Sequence, residues 1–303
     1  MFSRKTNYFI LKLVSMISVV RGYNVLMIAI AQYFAAIFIL APQKRALHVV
    51  VDFELFILVL ASSLSIASGY IINSFYDSKK DLINKPIKSK LDRLVSQKTK
   101  LQVYFSLNFL VAGIALFVSF RAVLFFSAYI FLIWFYSHKL KKYAIIGNLT
   151  AAVLAVSPFF AILLYFKNFY PQIAAHALFL FLLILIREII KDLENISGDL
   201  ANGYLTIPSV YGENWAKKTI AFLVILTVFP VYFLVNCSDV GYMDVYFYGS
   251  WIALIGFLIS LWKSETKTDY LKLHNVLKVI IVAGVFCIIL IKPEVFFSLG
   301  KLI

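Results

Sequence analysis

The feature that most constrains this chain is a succession of apolar runs, near residues 24–41, 53–72, 102–120, 121–137, 144–166, 172–190, 219–236, 245–262 and 276–291. A helix crosses a hydrocarbon core of about 30 Å with about 20 predominantly apolar residues, and these runs meet or approach that length. Inside a bilayer every backbone N–H and C=O must be satisfied, which leaves only helices and closed barrels. Barrel strands would alternate apolar and polar residues over about ten positions, and the runs here do not. Composition agrees: 62% of residues are hydrophobic and 15% charged, against roughly 45–50% apolar in soluble domains. The expected fold is therefore all-α, a polytopic membrane bundle of nine transmembrane helices, forming a single domain over residues 1–303. Small and polar residues spaced within the runs suit helices packed against one another.

Residues 1–23 carry Arg4, Lys5, Lys12 and Arg21 but no short apolar core with a small-residue cleavage site, so a signal peptide is not expected. The net charge of +14 invites a nucleic-acid partner, but membrane orientation accounts for it. With nine spans and the N-terminus in the cytoplasm, 23 of the 29 Lys and Arg fall on the inner side, as the positive-inside rule requires. The expectation is a multi-pass protein of the cell membrane, with its N-terminus and long polar segments cytoplasmic and no nucleic acid bound. Cys237 and Cys287 lie far apart without metal-ligand spacing, and indicate neither a disulfide nor zinc.

Two inner segments hold concentrated acid. The first, "NSFYDSKKD", runs from Asn73 to Asp81 and closes the second apolar run. On a helix a step of four residues turns 400°, so Asn73, Asp77 and Asp81 stack on one face about 6 Å apart. The second, "REIIKDLENISGD", covers residues 187–199 and closes the sixth run. There Asp192, Asn195 and Asp199, at i, i+3 and i+7, again share a face. Carboxylates and carboxamides are hard oxygen ligands suited to Mg²⁺, which keeps an octahedral oxygen shell completed by water and phosphate oxygens. A lone Asp at a helix end is as often a solvated cap. Two such clusters on one membrane side suit a diphosphate held through bridging magnesium, with Asn73, Asp77, Asp81, Asp192, Asn195 and Asp199 as metal ligands. Lys79, Lys80, Lys85 and Lys88 follow the first cluster, Lys141 and Lys142 lie between the fourth and fifth runs, and Lys191 sits inside the second cluster.

In order and spacing these residues resemble the UbiA superfamily of membrane prenyltransferases, over nearly the whole chain. That family has nine transmembrane helices and two aspartate-rich motifs, after helices two and six, that bind a prenyl diphosphate through Mg²⁺. Asn73, Asp77 and Asp81 match the first motif, and "DLINKP", with Asn84 and Pro86, resembles its continuation. Asp192, Asn195 and Asp199 match the second, followed by "GYLTIP" at 203–208. "RGYN", with Arg21 and Asn24, resembles an Arg-Pro-x-Asn opening of helix one. "YSHKLK", Tyr136 to Lys141, resembles a Tyr-Ser-x-x-Leu-Lys loop, with Gly147-Asn148 beyond it. The chain departs from the pattern at Gly22, Ser74, Lys88-Ser89 and, most consequentially, Asn195, where many members carry Asp. That change shifts the charge of the second motif onto Asp192 and Glu194.

The resemblance implies transfer of an isoprenoid chain from its diphosphate to a lipophilic acceptor within the bilayer. Asp77, Asp81, Asp192 and Asp199 would be catalytic, and Arg21, Asn24, Asn73, Lys88, Tyr136, Lys141, Lys191 and Asn195 would bind substrate. "REIIKDLENISGD" looks most like the digeranylgeranylglyceryl phosphate synthase branch, which transfers geranylgeranyl to geranylgeranylglyceryl phosphate in ether-lipid synthesis. The aromatic branch, prenylating a ring on the way to quinones, is the alternative. An ion-coupled transporter is the alternative of another class, and release of diphosphate separates it from either enzyme. His48, His138, His176 and His274 have no acid cluster at suitable spacing in the sequence, and none is assigned a catalytic role.

Overall fold

The computed structural model describes residues 4–295, with side chains from residue 11 onward. Ten principal helices follow one another: α1 (Arg4–Val20), α2 (Gly22–Leu40), α3 (Phe53–Tyr76), α4 (Gln97–Ala115), α5 (Phe120–His138), α6 (Ile146–Phe166), α7 (Pro171–Glu194), α8 (Glu213–Cys237), α9 (Gly241–Lys263) and α10 (Lys267–Ile291). All but α1 and α4 are long and apolar enough to cross a membrane, eight by length and composition among the described residues. Helix α4 falls short because Lys98 and Lys100 open it. It nevertheless occupies the third expected run and lies along α3, so a helix stands at each of the nine expected positions. The sequence does not announce α1, which is too short and mixed to read as a span. Its Ser15 donates to the Leu91 carbonyl (2.8 Å) and its Ser18 to Asp92 (3.3 Å), which fixes it against the short helix Pro86–Asp92.

Local signals set the boundaries. Asp52 caps α3 by accepting from the Leu55 N–H (3.0 Å), Ser96 caps α4 (3.1 Å) and Ser119 caps α5 (3.1 Å), each satisfying a donor that the first turn leaves free. Pro171 opens α7, where its missing N–H costs nothing. Pro158, inside α6, deprives the Leu154 carbonyl of its helical donor. The Tyr129 hydroxyl of α5 takes that place at 3.0 Å, and Gln32 of α2 donates to the Pro158 carbonyl at 3.0 Å.

Helices α3 and α7 are the most enclosed of the spans, and they are the two that lead into the acid segments. Hydrophobicity alone does not drive helices together in lipid, and close contact depends on small residues. Accordingly α3 buries Ala61, Ser62, Ser65, Ala67 and Ser68. A Cβ on its Gly69 would stand 2.9 Å from Ile133 of α5. Helix α7 buries an unbroken apolar stretch from Leu182 to Ile186, continued by Ile189, Ile190 and Leu193. An apolar cavity of about 500 Å³ opens beside it, bounded by Ala31, Phe160, Leu180, Tyr246 and Gly284.

Candidate active site

Helix α3 ends at Tyr76, and Asp77 stands at its C-terminal cap. Backbone bonds from Asp77 N–H to Asn73 (2.9 Å) and from Asp81 N–H to Asp77 (2.8 Å) keep the four-residue register across the helix end. Asn73, Asp77 and Asp81 therefore follow one another as their spacing implies, but the carboxylates are engaged differently. Asp77 accepts from Lys141 Nζ (2.6 Å) and the Tyr204 hydroxyl (3.1 Å) through Oδ1, and from Asn73 Nδ2 (2.9 Å) through Oδ2. Lys141 also reaches Asn73 Oδ1 at 3.0 Å. Burial pushes the Asp77 carboxyl up, but Lys141 and Lys80 outweigh it and hold the group below the usual carboxylate range. Asp81 instead lines a small polar recess with Ser74, Ser89, Asp92 and Lys100.

Two distant stretches deliver Lys141 and Tyr204 to Asp77. The loop after α5 is joined to residues 203–208 by one bridge, with Leu205 N–H donating to the Lys142 carbonyl at 2.8 Å. Within that loop Ile145 takes φ +65°, a conformation that a β-branched residue holds at a cost of about 1–3 kcal/mol and only where its surroundings dictate it.

The second acid segment breaks at Asn195 and resumes as the short helix Ile196–Ala201. Asp192 accepts from Asn148 Nδ2 at 2.7 Å. Asp199 is fully buried and paired with Lys80, whose ammonium lies 4.3 Å from the centre of the Tyr204 ring. Burial pushes the Asp199 carboxyl up against the pull of Lys80. Lys191 reaches Glu188 Oε2 at 2.5 Å, and Arg187 reaches Oε1 at 3.1 Å. Tyr136 lies within electrostatic reach of Lys191, Asp192 and Asp77. Asp77, Asp192 and Asp199 thus converge with Lys80, Lys141 and Lys191. Among the described residues no three His, Cys, Asp or Glu close up into a preformed metal shell.

The remaining expected residues lie to one side. Arg21, at φ +52° in the turn before α2, stacks on Tyr70 at 5.0 Å, and Asn24 donates to the Tyr70 hydroxyl at 3.2 Å. Lys88 stands 3.9 Å from Asp92. Three partners escaped the sequence reading: Tyr204 on Asp77, Lys80 on Asp199, and the His274–Glu194 pair at 2.8 Å. The last spans 80 positions, a separation that no local pattern encodes.

The acid segments meet where Lys80–Asn84 crosses Ile196–Ala201. Gly198 leaves no room there for a Cβ against the Asn84 side chain, whose buried amide has no hydrogen bond. Gly198→Ala is expected to lower stability by about 1–3 kcal/mol through overpacking and to reduce turnover by moving Asp199. Adding Asn84→Ala should recover both, since it frees the space without orphaning a partner. Melting temperature and turnover of the single and double variants check this; a double variant as impaired as the single one rejects the steric account.

Comparison with known proteins bears on the whole chain. Residues 30–279 match the UbiA prenyltransferase family. A protein named digeranylgeranylglyceryl phosphate synthase from Saccharolobus solfataricus is 30% identical over 239 residues, covering 76% of this chain and 82% of that one. A chain from structural work on digeranylgeranylglyceryl phosphate synthase in membranes superposes with a TM-score of 0.68 at 22% identity, covering 92% and 97% of the two chains. A UbiA homologue from Archaeoglobus fulgidus, solved bound to GPP and Mg²⁺, superposes with a TM-score of 0.66 at 17% identity, covering 91% and 99%. With the family model spanning most of its length, this chain belongs to the UbiA prenyltransferase family.

Proposed function

We propose that the chain, acting as one membrane domain over residues 1–303, transfers a geranylgeranyl group from its diphosphate to geranylgeranylglyceryl phosphate. The observation that carries this reading is the convergence of Asp77, Asp192 and Asp199 with Lys80, Lys141 and Lys191. The name of the 30%-identical relative supports the choice of acceptor, and the A. fulgidus homologue, solved with a prenyl diphosphate and Mg²⁺, supports the donor and metal.

The residues present fit magnesium. Asn195 Oδ1 is buried without a hydrogen bond, and neither Asp199 oxygen has a partner beyond Lys80. Asp77, Asp192 and Asp199, with Asn73 and Asn195, would hold the metal, and Asp81 would join from its recess. Bound magnesium supplies Lewis acidity that neutralises charge on the departing diphosphate. Lys141, Lys80 and Lys191 add fixed positive charge where that charge develops. Tyr204 and Asn148 orient Asp77 and Asp192, and Asn24 with Tyr70 steadies the turn that presents Arg21. The apolar cavity beside α7 gives the prenyl tail a dry volume behind the site.

The deciding experiment incubates the purified protein in detergent with Mg²⁺, labelled geranylgeranyl diphosphate and a panel of acceptors. The expected result is diphosphate release with a doubly alkylated glyceryl phosphate, identified by mass spectrometry. Product formed only with aromatic acceptors, or no diphosphate release at all, overturns the reading.

The site is assigned to the cytoplasmic side, together with the N-terminus, on the 23 to 6 division of Lys and Arg. Cys237 is exposed at the far end of α8, and Lys90 is exposed beside the acid segments. In a Cys287→Ser background Cys237 should react with an impermeant maleimide in intact cells. Lys90→Cys, with both native cysteines replaced, should react only after permeabilisation. The opposite pattern reverses the orientation.

A further inference from the structure

Helix α1 is too short and mixed to cross a membrane, yet it is joined to a helix long and apolar enough to do so by the single residue Arg21, whose left-handed backbone (φ +52°) turns the chain. The end of α1 therefore stands at the bilayer surface. It does so on the side of the acid segments, because Asn24, at the start of α2, donates to the Tyr70 hydroxyl near the end of α3 at 3.2 Å.

Two faces of α1 meet different surroundings. Ser15 and Val19 are buried against the protein, Ser15 through its bond to the Leu91 carbonyl and Val19 in one apolar cluster with Ile71 and Ile72 of α3. Each residue advances a helix by 100°, so Ile17 points about 200° away from Ser15. On that far side Leu13, Val14 and Ile17 stand exposed, Ile17 at 62%. Beyond Arg21 the start of α2 presents Tyr23 and Leu26 outward as well, and a tyrosine at that level suits the headgroup boundary.

Charge points to the same partner. Residues 1–23 carry Arg4, Lys5, Lys12 and Arg21 and no acid, and Lys12 is exposed. A basic helix with one apolar face lies in the plane of a membrane interface, and its cations are drawn to anionic headgroups. A second copy of the chain on the same stripe would instead bring like charges together.

We propose that α1 is an interfacial helix whose face of Leu13, Val14 and Ile17 rests in the edge of an anionic lipid leaflet, while its other face holds the loop that carries Asp81. Ser15 and Ser18 grip the end of Pro86–Asp92 at Leu91 and Asp92, and Asp92 lines the recess that Asp81 also lines. Those two bonds anchor the loop only as firmly as α1 is itself anchored, and lipid supplies that anchorage. The position of α1 is measured without turnover, so the proposal stands or falls apart from the assigned reaction.

The test places the full-length protein, with Cys237→Ser and Cys287→Ser, in bilayer nanodiscs with or without phosphatidylglycerol. A nitroxide is attached in turn at Leu13→Cys, Ile17→Cys and, as an exposed reference, Lys90→Cys. In anionic discs, collision with oxygen should exceed collision with a water-soluble nickel chelate by about threefold or more at Leu13 and Ile17, as for a face set about 5–10 Å into the headgroup boundary. Lys90 should show the reverse. Neutral lipid, or Lys12→Glu, should shift Ile17 toward water. A chelate that reaches Ile17 as readily as Lys90 overturns the proposal, and so does a depth indifferent to both headgroup charge and Lys12. Spin–spin broadening at Ile17 with access to neither reagent gives the face to a second copy and overturns it equally.

Discussion

Asp77→Ala is expected to reduce turnover by about 100- to 1,000-fold or more, the scale on which one preorganised electrostatic contact contributes to a charge-separating step. It should also destabilise the fold. Lys141 is nearly buried, and its ammonium is shared between Asp77 and Asn73. Removing one partner of a buried pair costs about 3–5 kcal/mol because the other charge is left behind. Since the Asp77 carboxyl is held below its usual range, the pair's stabilisation is complete at neutral pH and is lost only as pH falls through that lowered value. The two effects separate in the double variant Asp77→Ala/Lys141→Met, which removes both charges. Its melting temperature should return toward the parent's while its turnover remains lost. Parental turnover in Asp77→Ala excludes the carboxylate from the chemistry, and recovery of turnover in the double variant reduces Asp77 to a structural counterion.

The membrane helices were legible because a bilayer imposes a length and a polarity that each segment must meet alone. The acid faces were legible for a similar reason, since Asn73 and Asp77 are joined through four residues of helix and their hydrogen bond needs nothing from elsewhere. What crosses the bundle was not. Lys141 meets Asp77 across 64 positions and Tyr204 meets it across 127, and no periodicity encodes which distant loop will lie opposite. The ninth expected run, from 276, is the apolar part of a helix that already starts at Lys267, because the polar turns before it carry no membrane signal. Asp81 shows the limit of face arguments: its backbone keeps the register, yet its side chain serves a recess built by Ser89, Asp92 and Lys100, which only packing brings there.

Asn195 is where the chain departs most from its family, and its geometry sharpens what that departure does. The amide nitrogen donates to the Lys191 carbonyl at 2.6 Å, which leaves Oδ1 buried with no protein partner. The same carbonyl also accepts from the Asn195 backbone N–H at 3.1 Å, so removing the amide donor does not orphan it and the Leu variant should fold, while in the Asp variant the carboxylate must turn away from that carbonyl. If Oδ1 is a ligand for magnesium or for its water, Asn195→Leu removes that oxygen while keeping comparable bulk. The Mg²⁺ concentration for half activity should then rise by about 10- to 100-fold, the range over which groups supporting a metal site act, and KM for the prenyl diphosphate should rise with it. Asn195→Asp places a charged oxygen where the neutral one stood, and hard divalent cations bind more tightly as ligand charge increases. It should retain turnover and reach half activity at lower Mg²⁺. Titrating Mg²⁺ against turnover in parent, Leu and Asp variants orders the three. A Leu variant with the parent's magnesium dependence and donor KM removes Asn195 from the site and leaves Asp192 and Asp199 to carry the second motif alone.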